Sequence, residues 1–151
     1  MKLSHLIDFN DIATEDFISL SLLAKDIMSK PAQYTDVCKG KVMATLFYEP
    51  STRTQFSFQT AMLRLGGAHI GFSDPNNSSV AKGESIKDTI KIVSGYCDLA
   101  VIRNPLEGAA YAASLYSEIP IINAGDGGHL HPTQTMTDMF TILKDKGTLE
   151  G

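Results

Sequence analysis

Apolar residues first recur with helical period over residues 14–30, where Phe17, Leu20, Leu23, Ala24 and Ile27 share a face. Thr14 stands where a capping hydroxyl belongs, and Pro31 forbids continuation. Residues 42–48 replace that rhythm with a run apolar but for Thr45, the mark of a short strand buried on both faces of a parallel sheet. The helical period returns over 52–65, with Phe56, Ala61 or Thr60, Leu63 and Leu65 as expected core contacts and Gly66-Gly67 as the stop. The same alternation then repeats without sequence repetition. A strand is expected at 68–72, a helix at 85–96 carrying Ile86, Ile90 and Val93, a strand at 99–103, a helix at 107–116 and a strand at 119–123. Pro132 opens a last helix through Met136, Met139, Phe140 and Leu143, in the first turn, where its missing N–H costs nothing. Strands alternating with helices predict an α/β fold, a three-layer sandwich with a central parallel four-stranded sheet flanked by helices.

Composition narrows the functional classes. With 151 residues, 43% of them hydrophobic, the chain is apolar enough for one core without a metal or disulfide staple, and too apolar for disorder. The formal charge of −4 offers no basic field for nucleic acid. No apolar run approaches the ~20 residues of a membrane span, and Met1-Lys2-Leu3-Ser4-His5 lacks the plan of a secretory signal. A cytoplasmic protein with no membrane partner is expected. Cys38 and Cys97 stand far apart, outside any Cys-x-x-Cys pattern, and read as reduced thiols.

In parallel sheets ligands bind beyond the carboxyl ends of the strands, so the loops after the strands carry the chemistry. Four qualify: residues 49–54, 73–84, 103–105 and 124–134. Ser51, Thr52, Arg53 and Thr54 place hydroxyls, a guanidinium and unpaired backbone N–H groups at a helix start, which is how an anion is held. Read alone, the same tetrapeptide is also a capping Ser or Thr beside a solvated charge. Arg103 ends an apolar strand, either as a site residue or in a salt bridge at the rim. His131 and Gln134, three apart at the start of the last helix, can face the same way. His129 and His131 form His-x-His without an acidic or thiol partner at ligand-like spacing, so no metal site is expected. His5 and His69 read as structural or surface residues. Gly125, Gly127 and Gly128 read as tight-turn residues, because Gly-x-Gly-x-x-Gly is absent.

Collected in order, these segments resemble the N-terminal, carbamoyl-phosphate-binding domain of aspartate carbamoyltransferase catalytic chains. The resemblance runs through Phe47-Tyr48-Glu49-Pro50-Ser51-Thr52-Arg53-Thr54, Gly71-Phe72-Ser73-Asp74, Lys82-Gly83-Glu84-Ser85, and Asn123-Ala124-Gly125-Asp126-Gly127 leading to His131-Pro132-Thr133-Gln134. Ornithine carbamoyltransferases are similar in the Ser-Thr-Arg-Thr loop and the His-Pro-x-Gln turn; the other segments look like the aspartate enzymes. Gln55 departs from the pattern, standing where the family usually has a second Arg. The resemblance covers residues 1–151 as one carbamoyl-phosphate-binding domain, with the family's second, aspartate-binding domain outside this sequence.

The resemblance implies transfer of a carbamoyl group from carbamoyl phosphate to the amino group of L-aspartate, an early step of pyrimidine synthesis, without a cofactor. Carried over by position, Ser51, Thr52, Arg53 and Thr54 hold the phosphate, and Thr54, Arg103 and His131 donate to the carbonyl oxygen. Gln134 meets the carbamoyl NH₂. Lys82, with Ser78 or Ser79, lies on a loop that in this family reaches a neighbouring subunit's site, which implies a homotrimer with sites at its interfaces. Glu49 bridges the two domains. A regulatory partner chain would leave no motif legible here, and the half alone is expected to be poorly active. Two alternatives stand beside this reading: an ornithine carbamoyltransferase, and a non-catalytic phosphate-binding or assembly module on the same scaffold.

Overall fold

The strands Val42–Phe47 (β1), Ala68–Phe72 (β2), Leu99–Asn104 (β3) and Ile121–Asp126 (β4) all run parallel and lie in the order β2-β1-β3-β4. They come from a computed structural model that describes residues 5–149; residues 1–4 and Gly151, both read above, lie outside the described residues. The α-helices are Thr14–Ser29 (α1), Thr52–Arg64 (α2), Ile86–Ser94 (α3), Ala109–Ser114 (α4) and Pro132–Lys146 (α5). Side chains alternate across the pleat, so the central strands feed two cores. Ala44, Leu46, Ala100, Ile102 and Ile121 pack with Ile90 of α3 and Ala113 of α4. Met43, Phe47, Val101 and Ala124 pack on the other face with Met62 of α2. The outer edge of β4 is covered by the N-terminal segment, where Leu6 bridges to Ile122 and His5 Nδ1 accepts from the Ile121 N–H at 3.2 Å. That gives His5 the structural part expected of it.

The strand order places the site. The chain leaves β1 for β2 on one side and returns through β3 on the other, so the crevice between the carboxyl ends of β1 and β3 is the topological switch point. Residues 49–54 and Arg103 emerge there, and Tyr48 N–H donates to Arg103 C=O at 2.8 Å across the gap.

Several expectations need correction. Phe56, Leu63, Ala61 and Thr60 of α2 are exposed, Phe56 by 60%; Met62 is the buried residue, with Phe58 packed beside it. Leu23 of α1 is 45% exposed, and α1 begins after Ala13 without a side-chain cap, so Thr14 is its first helical residue rather than its cap. β4 starts after Pro120 and continues to Asp126, three residues past its expected end. Proline supplies no N–H to open the ladder, while Asn123 Nδ2 donating to Asp126 Oδ1 and Gly125 N–H donating to Asn123 Oδ1 keep the far end extended through Gly125 at φ +116°.

Candidate functional site

Ser51 precedes α2 with an extended φ of −156°, and its hydroxyl makes no capping bond. The first helical bond of α2 runs from Gln55 N–H to Ser51 C=O at 3.0 Å, so the N–H groups of Thr52, Arg53 and Thr54 come before the helical ladder and have no acceptor in it. No acidic residue occupies the first turn, and Arg53 is exposed without an acidic partner among the described residues. A helix N-terminus left positive and uncapped, with an exposed guanidinium beside it, offers the donors and the charge that an anion needs. The Ser51 hydroxyl therefore is not the cap, while Arg53 is a solvated charge as the alternative reading has it.

The opposite wall is wired to the rest of the fold. Arg103 Nη1 donates to Ala124 C=O at 3.2 Å, and Nε lies 2.7 Å from Glu49 Oε1. That contact is an ion pair whose N–H is not aligned for a hydrogen bond. Both side chains are about three-quarters buried, which is a stronger setting than the exposed rim bridge considered from sequence. His131 is the N-cap of α5; its Nδ1 accepts from Gln134 N–H at 3.4 Å and lies 3.3 Å from the Thr133 hydroxyl. An imidazole nitrogen that accepts from a backbone N–H carries no proton itself, so the ring proton of neutral His131 sits on Nε2 as a donor. Burial, and secondly the Arg103 guanidinium, hold His131 below its ordinary value, which favours that neutral donor form. Gln134 spends Nε2 on Asp138 Oδ1 at 2.8 Å, leaving its amide oxygen as the acceptor.

These groups meet in one cleft of about 880 Å³, lined by Ser51, Thr52, Arg53, Thr54, Arg103, His131 and Gln134. Pro50, before α2, and Ser57, Phe58, Ala61, Thr133 and Thr137 complete its lining; the last five had no distinguishing sequence signal, since they are the cleft-facing turns of the same two helices. Glu49 reaches the cleft only through Arg103. The 73–84 loop goes elsewhere: Ser78 and Ser79 line a separate cleft of about 400 Å³ beside α3, and exposed Lys82 lines neither. Gly125 leaves room for Arg103; a Cβ there would stand 2.8 Å from Arg103 Nη1. Chemically the cleft offers unpaired N–H groups and a guanidinium for a phosphate, then N–H donors on the far wall for an adjacent oxygen.

Comparison with known proteins identifies the family. Residues 4–144 match the family described as the aspartate/ornithine carbamoyltransferase, carbamoyl-P binding domain. The chain is 61% identical over 151 residues to the aspartate carbamoyltransferase catalytic subunit of Clostridium perfringens, covering all of this chain and 49% of that protein. Among solved structures it superposes on the catalytic subunit of M. jannaschii aspartate transcarbamoylase with a TM-score of 0.90 at 49% identity, covering 98% of this chain and 49% of that one. It superposes on aspartate transcarbamoylase from Trypanosoma cruzi in complex with carbamoyl phosphate and aspartate with a TM-score of 0.93 at 35% identity, covering 99% and 50%. The chain spans about half the length of the relatives it matches.

Proposed function

Because the chain belongs to the aspartate/ornithine carbamoyltransferase family through its carbamoyl-phosphate-binding domain, we propose that it is the carbamoyl-phosphate half of an aspartate carbamoyltransferase catalytic subunit. The observation that carries this reading is the convergence of residues 51–54, Arg103, His131 and Gln134 on one cleft at the switch point. In the proposed reaction the amino nitrogen of L-aspartate attacks the carbonyl carbon of carbamoyl phosphate. A C–N bond forms, the bond from that carbon to the bridging oxygen breaks, and the departing phosphate takes the amine proton. The N-terminus of α2 and Arg53 hold the phosphate; Thr54, Arg103 and His131 Nε2–H donate to the oxygen on which charge grows. Donors fixed beforehand act on the transition state, and losing one costs about 2.7–4 kcal/mol of barrier. The Gln134 amide oxygen accepts from the carbamoyl NH₂ and orients it. No covalent nucleophile or cofactor enters this scheme.

The 73–84 loop supports assembly. Lys82 and Ser79 lie away from their own cleft, which suits a cyclic homotrimer in which each chain lends that loop to its neighbour. Phe56 and Leu63, seven apart on the outer face of α2 and 60% and 57% exposed, suit such a contact. Glu49, now on Arg103, would bridge to the second domain, which would hold aspartate. A role in pyrimidine synthesis in the cytoplasm comes with this reading; among the described residues no helix is long and apolar enough to cross a membrane.

The test is to supply a second domain, from the Clostridium perfringens relative, fused after residue 151, and to assay carbamoyl transfer to aspartate and to ornithine. Carbamoyl aspartate is expected. Transfer to ornithine instead would identify the alternative enzyme, and no transfer by a folded fusion would favour the non-catalytic module.

A further inference from the structure

Asp126 is 2% exposed and Asn123 is fully buried at the end of β4, yet neither reaches the cleft described above. A buried carboxylate is expensive unless N–H groups surround it. Asp126 Oδ1 accepts from Asn123 Nδ2 at 3.2 Å and from Leu130 N–H at 3.1 Å; Oδ2 accepts from Gly108 N–H at 2.9 Å, and exposed His129 Nδ1 lies 3.6 Å from it. Asn123 is as fully used: its Nδ2 also donates to Ile7 C=O at 3.0 Å, and its Oδ1 accepts from Gly125 N–H at 2.9 Å. Backbone bonds close the same turn, Asp126 N–H to Leu130 C=O at 3.1 Å and Gly127 N–H to Asn104 C=O at 2.8 Å.

What this pair fixes is specific. The Gly125 bond sets the backbone next to Ala124, whose carbonyl receives Arg103. The Leu130 bond sets the residue immediately before His131. The Gly108 bond ties both to the start of α4. None of these bonds touches residues 51–54. The geometry points to Asp126, braced by Asn123, as the positioning residue that aims Arg103 and His131 at the carbonyl oxygen while leaving the phosphate-holding helix end alone. The inference rests on the proposed carbamoyl phosphate site, and it predicts a selective effect rather than a general weakening.

The test compares the chain with its Asp126→Asn variant, titrating each with carbamoyl phosphate and with inorganic phosphate. Asn keeps the shape but replaces one acceptor oxygen by a donor, so either the Leu130 or the Gly108 N–H loses its partner. The expected result is a fall of about tenfold in the preference for carbamoyl phosphate over phosphate, with phosphate affinity changed less than about twofold. The His131 imidazole, followed by NMR, should titrate closer to its ordinary value in the variant as the wall loosens. An unchanged preference together with an unchanged His131 titration would overturn the inference. A parent chain that shows no preference at all would instead overturn the proposed function, so the two failures are distinct. Should the variant not fold, hydrogen exchange in the unaltered chain decides: Gly108 and Leu130 amides protected like those of the central strands support the brace, and exchange at the rate of open loops contradicts it.

Discussion

Two loops leave the carboxyl end of the same sheet under opposite conditions. Residues 126–131, at and beyond the end of β4, are tied by long-range bonds to Asn104 and Gly108 and by a local one to Asn123, and deliver His131 into the chain's own cleft. Residues 73–84, after β2, coil into two 3-10 turns held by bonds among themselves: Asp74 accepts from Asn76 and Asn77, Ser78 accepts from Val80 N–H, and Gly83 N–H donates to Val80 C=O. The first is a wall of this chain; the second is finished locally and presents Ser79 and Lys82 outward. The wiring thus distinguishes a loop tied across the sheet, which lines the cleft, from one closed on itself, which does not, although both follow strands and both carry polar side chains.

The largest effect should come from Arg53→Ala, in the wall that faces residues 126–131 across the cleft. In the proposed site the free guanidinium holds the phosphate, so affinity for carbamoyl phosphate and for phosphate should fall about 100-fold by calorimetry, the scale of truncating one partner of a charge-assisted contact. The melting temperature should hardly move, because Arg53 is exposed. Unchanged affinity would remove this loop from the site.

A smaller effect, in the opposite direction, is expected from Glu49→Gln. The carboxylate occupies Arg103 Nε, so neutralising it removes a negative charge from the cleft wall, and phosphate should bind a few-fold more tightly. Weaker binding in that variant would show that Glu49 aims Arg103 rather than competing for it.

The third expectation concerns pH. The folded chain holds His131 below its ordinary 6.5, so the unfolded chain binds its proton more readily. The stability attached to the neutral ring is whole above pH 6.5 and is lost as the pH falls from there through the lowered folded value. His131→Gln should flatten the denaturant midpoint across that window, whereas the same acid-side slope in both proteins would assign it to another group.

The smallest effect belongs to the other loop. Lys82→Ala should leave phosphate binding by the monomeric chain unchanged within about twofold, and should matter only once subunits assemble. A large loss in the monomer would bring Lys82 back into its own cleft.

Much of this was legible in the sequence because single residues carried it. Largely apolar runs marked β1 and β3, glycine and proline punctuated the helices, and Ser51-Thr52-Arg53-Thr54 after a strand marked residues that line the cleft. The core face of α2 was not legible, since Phe56, Phe58, Ala61, Met62, Leu63 and Leu65 spread apolar character around the helix and only packing on the sheet selects Met62. The far end of β4 was equally hidden. Asn123-Ala124-Gly125-Asp126 reads as a loop by propensity, and it stays extended because buried side chains bond back to the backbone. The uncapped start of α2 also had to be seen, because the same serine reads as a cap until its hydroxyl is found unused.

The most direct test of the account is a calorimetric titration of this 151-residue chain with carbamoyl phosphate, set against inorganic phosphate. Saturable binding tighter than that of phosphate is predicted, since in the proposed site both the phosphate-holding helix end and the carbonyl-facing wall belong to this one chain. Binding no tighter than phosphate, or none, would contradict the claim that a single chain builds the first substrate's site.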